Sequence, residues 1–150
     1  MKRIEIGQWM IKVDAEATRQ VYEKTSRGSP ANCDCNTCRN FTALGREAYP
    51  EPFRSLLNEL GIDYRKAAEV FYTCPSSSSH LFYGGWFHFA GRIISGPHKT
   101  PDFRPLPEGL EISICRDNDL VFEEFGDKPL VQIEFSTDSI PWVLDEEMPE

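Results

Sequence analysis

Leu81-Phe82-Tyr83-Gly84-Gly85-Trp86-Phe87-His88-Phe89-Ala90-Gly91-Arg92-Ile93-Ile94 is the stretch on which the fold turns. It is too aromatic and too rich in glycine for a helix, and β-branched and aromatic side chains favour a pleated surface. The stretch reads as one long strand. Gly84, Gly85 and Gly91 mark bends or places where another backbone or a ring comes close. On strand parity His88 groups with Phe82 and Trp86, opposite Tyr83 and Phe87.

Outward from this stretch the pattern stays at period two. Ala68, Val70, Tyr72 and Cys74 alternate with Glu69, Phe71 and Thr73 on the N-terminal side, and Pro75 with four serines forms a turn. After an irregular loop containing Pro97, Pro101, Pro105 and Pro107, three further strands are expected at Leu110 to Arg116, Leu120 to Phe125 and Leu130 to Phe135. Asp117-Asn118 and Gly126-Asp127 supply hairpin turns. Ile140-Pro141-Trp142-Val143-Leu144 reads as a docked edge segment, and residues 145–150 as an acidic tail.

The first half is different. Arg3 to Val13 places Ile4 and Ile6 on one parity and Trp9, Ile11 and Val13 on the other, which predicts one strand with a bulge near Gly7. Asp14 caps a helix carrying Ala17, Val21 and Tyr22, ended by Gly28 and Pro30. Asp34 or Asn36 caps a second helix running to about Ala48. A third begins at Pro50 or Pro52 and carries Phe53, Leu56, Leu57 and Leu60. Gly61 takes its left-handed terminal position, with Ile62 closing against Leu56 or Leu57. With helices crowded early and strands late, the expectation is α+β: an N-terminal strand and helices packed on one face of a mainly antiparallel β-meander. A chain of 150 residues with no internal repeat or linker fits a single domain, 1–150.

A formal net charge of −8, with no cluster of Lys or Arg, argues against nucleic acid and against an anionic membrane. No apolar run reaches bilayer length, and Glu5, Gln8 and Lys12 interrupt anything like a signal peptide. Five cysteines, an odd number, suit a reducing compartment, so a cytoplasmic chain is expected.

One stretch suggests chemistry: Cys33-Asp34-Cys35-Asn36-Thr37-Cys38. Three readings apply to it. Thiols at this spacing can hold zinc, with Cys33, Cys35 and Cys38 as ligands and a fourth from His88, Cys74 or His80. A CxxC at a helix start can also do redox chemistry, Cys35 attacking and Cys38 resolving, although a preceding strand would be expected. The third reading is packing, since free cysteine behaves as a small apolar residue. On it Cys38 aligns with Phe41 and Gly45, Cys74 and Cys115 belong to the core, and Arg39 and Asn40 are surface or hydrogen-bonding residues.

Tyr83, Trp86 and His88 are candidates for lining a ligand groove, against the simpler role of sheet core. His80 and His98 are read as solvated loop residues. Glu123, Glu124, Glu134 and Asp138 are read as a solvated sheet face. No catalytic motif is complete. The residues therefore favour a small module that binds a protein or a small molecule, with a thiol-dependent redox enzyme or sensor as the alternative.

Several segments together carry a resemblance. The Cys33–Phe41 run, Tyr49-Pro50 followed by Leu60-Gly61-Ile62-Asp63, Tyr83-Gly84-Gly85-Trp86-Phe87-His88-Phe89, and Val131-Gln132-Ile133-Glu134-Phe135 with Pro141-Trp142 resemble a family of short bacterial proteins of uncharacterised activity. The resemblance spans most of the chain. It implies a small bacterial cytosolic protein and transfers no activity. Cys74 and Cys115 lie outside the pattern.

Overall fold

The computed structural model describes residues 1–26, 28–97, 104–106 and 110–150. In chain order its elements are β1 (Lys2–Ile6), β2 (Trp9–Val13), α1 (Ala15–Lys24), α2 (Asn36–Leu44), α3 (Glu51–Glu59), β3 (Glu69–Pro75), β4 (His80–Ser95), β5 (Arg104–Leu106), β6 (Leu110–Cys115) and β7 (Leu130–Pro141). Short 3₁₀ turns lie at Ser29–Asn32, Gly45–Ala48 and Glu123–Phe125. The strands form one antiparallel sheet in the order β1-β2-β4-β7-β6-β5, with β3 also paired to β4. This is the α+β arrangement that the separation of helical and strand patterns implies.

The quoted aromatic stretch becomes β4, and the sheet is built around it. One edge pairs with β7 from His80 to Ala90. The other edge is shared: β3 takes Leu81 to Trp86, and β2 takes Gly91 to Ser95. Between them the backbone of residues 86–90 would be left without a ladder. Helix α1 and its flanks, together with the residue preceding β3, fill the gap. Ala68 N–H donates to the Trp86 carbonyl at 2.9 Å, the Tyr22 hydroxyl to the His88 carbonyl at 2.8 Å, and Asp14 N–H to the Ala90 carbonyl at 2.9 Å. Ala90 N–H in turn donates to Thr18 Oγ1 at 2.9 Å. Buried backbone groups need such partners, and here a helix supplies them in place of a strand.

The expected bulged strand at Arg3 to Val13 is instead a hairpin, β1 to β2, reversing at Gly7-Gln8 with Gly7 at φ +54°. Both solutions follow from the same parity switch. In the hairpin Ile4 faces Ile11 and Ile6 faces Trp9, so all four still share one side, and all four are buried. A second correction falls at Leu120 to Phe125. This segment is a loop ending in a 3₁₀ turn, because β7 already has β4 and β6 on its two edges. It crosses the sheet instead, inserting fully buried Phe125 beside His88, with ring centroids 6.5 Å apart. Strand β7 also runs past Phe135 to Pro141 and takes in the start of the expected edge segment. Of the proline-rich loop, Pro101 and Pro107 lie outside the described residues, as does His98.

Helices α2 and α3 cover one face of the sheet. Phe53, Leu57 and Leu60 of the α3 stripe have no exposed surface. Gly61 at φ +86° ends α3 in a Schellman motif: Ile62 N–H reaches the Leu57 carbonyl at 2.9 Å and Gly61 N–H reaches that of Asn58 at 3.0 Å. Tyr49 stands at the centre of the aromatic cluster. Its ring centroid lies 5.5 Å from Phe41, 5.6 Å from Phe53, 5.9 Å from Phe87 and 5.2 Å from Phe135. Gly84 and Gly85 mark close approaches: a Cβ on Gly84 would lie 2.6 Å from the Phe71 ring, and one on Gly85 2.3 Å from the Glu69 carbonyl oxygen. The helix expected to reach Ala48 stops at Leu44, where Gly45 turns left-handed at φ +57° and a 3₁₀ turn delivers Tyr49 to the core.

Candidate metal centre

The cysteine run lies between the 3₁₀ turn at Ser29–Asn32 and α2. Cys33 N–H closes on the Pro30 carbonyl at 3.3 Å, and the chain then runs extended through Cys35. The residue at the helix N-cap is Cys35 rather than Asp34 or Asn36, and the Arg39 amide donates the first helical bond to its carbonyl at 3.0 Å. This places Cys38 in the first turn of α2. The three side chains converge: the sulfurs of Cys33, Cys35 and Cys38 all lie within 4.8 Å of one another. Those of Cys33 and Cys35 are 3.1 Å apart. Cys35 is exposed, and the other two are half-buried.

Two of the thiols, Cys35 and Cys38, are shifted in opposite directions. The Cys35 thiol is drawn down from 9.0 to about 6, first by the Thr37 hydroxyl (3.4 Å away), then by the Cys33 thiol and the Cys38 backbone amide. Donors aimed at a sulfur at a helix start favour the thiolate. Burial pushes the Cys38 thiol up, and its hydrogen bonds with Cys33 and Cys35 add to the shift. A thiolate-binding ion placed among the three sulfurs would favour the thiolate forms and release protons as it binds.

The first turn of α2 is anchored on two further sides. The Tyr83 hydroxyl donates to the Thr37 carbonyl at 2.6 Å, tying the turn to β4. Arg39 and Asn40 tie it to the C-terminal segment. Arg39 Nε donates to the Asp34 carbonyl at 3.0 Å, and its guanidinium grips the Glu146 carboxylate with both terminal nitrogens. Asn40, with no exposed surface, donates to the Pro141 carbonyl at 3.1 Å and accepts from Val143 N–H at 2.8 Å. Residues 145–150 are thus no free tail. Trp142 Nε1 holds the Glu146 carbonyl at 2.8 Å, and Met148 is partly buried against the core. An asparagine inside an apolar helical stripe signals a satisfied buried polar group, but its partners lie more than a hundred residues away.

The other sequence candidates are placed elsewhere. Neither His88 nor Cys74, the suggested fourth ligands, joins the group of sulfurs. His88 is 1 % exposed, with Nε2 2.8 Å from Gln132 Oε1, and burial holds its pKa below the usual histidine value. Cys74, expected in the core, is exposed on β3. His80 opens β4 rather than lying in a loop, with Nδ1 2.8 Å from Ser79 Oγ. A cavity that includes Tyr83 is walled by Phe71, Phe82 and Phe135 and not by Trp86 or His88. Trp86 instead bonds the Asp119 carbonyl at 2.9 Å.

A second group, Cys115, Asp117 and Glu134, also gathers its ligand atoms within 4.8 Å. The buried Cys115 thiol donates to Glu134 Oε2 at 3.1 Å, and burial followed by that carboxylate raises its pKa. A metal there would have to displace a proton held by both effects, which makes it the poorer thiolate site. Glu134 is therefore a partner of Cys115, not a bystander on a solvated face.

No family model matches the chain, and no curated protein or solved structure matches it. Among the described residues no helix is long and apolar enough to cross a membrane.

Proposed function

We propose that the chain is a small binding module in which Cys33, Cys35 and Cys38 hold a thiophilic metal ion, zinc in the first instance, that fixes the start of α2. The observation that carries this reading is the approach of three sulfurs to within 4.8 Å of one another. A disulfide needs two sulfurs at bonding distance. A zinc site needs three or four at a common centre, with solvent or an added ligand able to take a remaining position. The test is elemental analysis of freshly purified, reduced protein, followed by chelation. One equivalent of zinc is expected, lost on chelation together with thermal stability. Protein that carries no zinc and takes none up, or that loses it without change in either stability or α2 protection, overturns the reading. Because free thiols persist where glutathione keeps them reduced, the reading also places the chain in the cytosol, in keeping with its resemblance to short bacterial proteins.

A second reading is favoured by one specific feature: Cys35, whose thiol pKa is drawn down, is exposed at the N-cap, and Cys38, whose thiol pKa is pushed up, stands three residues on in the first turn. In that reading the Cys35 thiolate attacks a partner disulfide and expels one partner thiolate. Cys38 then displaces the second, leaving a Cys35–Cys38 disulfide and a reduced partner. Reversible formation of that disulfide in a glutathione redox series, with metal absent throughout, would select this reading over the first.

A further inference from the structure

We propose that metal binding at Cys33, Cys35 and Cys38 is coupled to docking of the C-terminal segment through Arg39 and Asn40; the inference rests on the metal reading above. The same few residues serve both ends. Arg39 bonds the Asp34 carbonyl, inside the cysteine run, and the Glu146 carboxylate, near the end of the chain. Asn40, the next residue, bonds Pro141 and Val143 at 3.1 and 2.8 Å. The N-cap and the first five residues of α2 therefore carry two thiols and the clamp together.

Coordination of three thiols fixes residues 33–38, and with them the Asp34 carbonyl and the base of the Arg39 side chain. Docking of the C-terminal segment fixes Arg39 and Asn40 from the other side. Each event lowers the ordering cost of the other, so the coupling is positive, and it is reciprocal. What moves is the segment from Trp142 to Met148, both partly buried on the core. In metal-free protein this segment dissociates more often and exposes the surface beneath it.

The experiment is a zinc competition titration against a chromophoric chelator. It uses the full chain and its Glu146→Gln, Arg39→Gln and doubly substituted forms, with amide exchange at Val143 followed alongside. Glu146 is at the surface, so its substitution leaves the fold intact. The expected result is a loss of zinc affinity of about fivefold or more in Glu146→Gln, absent when Arg39 is already Gln, and slower Val143 exchange on adding zinc. Zinc affinity changed by less than about twofold, with Val143 exchange unmoved, overturns the coupling while the metal reading stands. An equal loss in both backgrounds also overturns it, because Glu146 would then be a ligand rather than a clamp. Failure of the unsubstituted chain to bind zinc overturns this inference and the metal reading together.

Discussion

The aromatic cluster under α3 and the cysteine turn ahead of α2 both draw on residues 33–60, the cluster adding rings from β4 and β7, and they are held by different forces. Around Tyr49, four aromatic rings, one each from α2, α3, β4 and β7, exclude water and stay in place by packing. At the turn every fixed point is a directed contact: sulfur to sulfur, hydroxyl to carbonyl, guanidinium to carboxylate. Burial of uncharged rings is indifferent to pH and redox state, whereas the thiols at the turn respond to both. The comparison assigns stability to the first region and responsiveness to the second.

The sharpest way to break that comparison is to remove a ring. Phe53→Ala should lower unfolding stability by about 3–5 kcal/mol in urea titrations, with zinc affinity of the folded protein retained. If affinity falls in step with stability, the two regions are not separable. Next in size, Cys35→Ser should weaken zinc binding by more than the roughly 10–100-fold that loss of a supporting hydrogen-bond partner costs at metal sites, measured by the same competition titration. In the metal-free protein it should remove only the pH-dependent stability that the exposed Cys35 thiolate contributes, a small effect because solvent screens it.

Acidity sharpens the contrast further. Because the Cys35 thiol falls from 9.0 to about 6, its alkylation by iodoacetamide should reach half its maximal rate near pH 6. Its folded value lies below its unfolded one, so the stability it contributes is complete above the ordinary thiol value and is lost as pH falls through about 6. His88 behaves in the same sense for a different cause: burial holds its pKa in the folded state below the usual histidine value. As pH drops below the ordinary histidine value the unfolded chain takes the proton first, so stability declines, and His88→Gln should flatten that acid limb. The smallest effect is expected at Cys74, exposed on β3: Cys74→Ser should change stability by no more than about 0.5 kcal/mol and zinc affinity not at all. A clear loss of zinc affinity there would restore Cys74 as the fourth ligand.

Much of this was legible in the residues because the signals are local. Helix α3 was marked by its stripe, its prolines and Gly61, and β4 by its aromatic run. The parity switch at Gly7 located a reversal but did not distinguish a bulge from a hairpin, since both put Ile6 and Trp9 on one side. Leu120 to Phe125 had strand composition, but its chain neighbours β6 and β7 already have partners on both edges, and that pairing is a property of the whole sheet. The cysteine cluster was visible as spacing. The roles of Asn40 and Glu146 were not, because their partners are brought together only by the course of β7.

By itself the sequence determined what local pattern can determine: the class of the fold, the ends of α3, the long central strand, and three thiols within a six-residue window. The tertiary structure alone decided which edges are filled, that α1 completes the ladder of β4, that Cys74 faces solvent, and that the last residues return to the first turn of α2. The physical reason is range. Propensity, capping and periodicity act over a few residues, while pairing of buried polar groups is satisfied wherever the folded chain brings a partner.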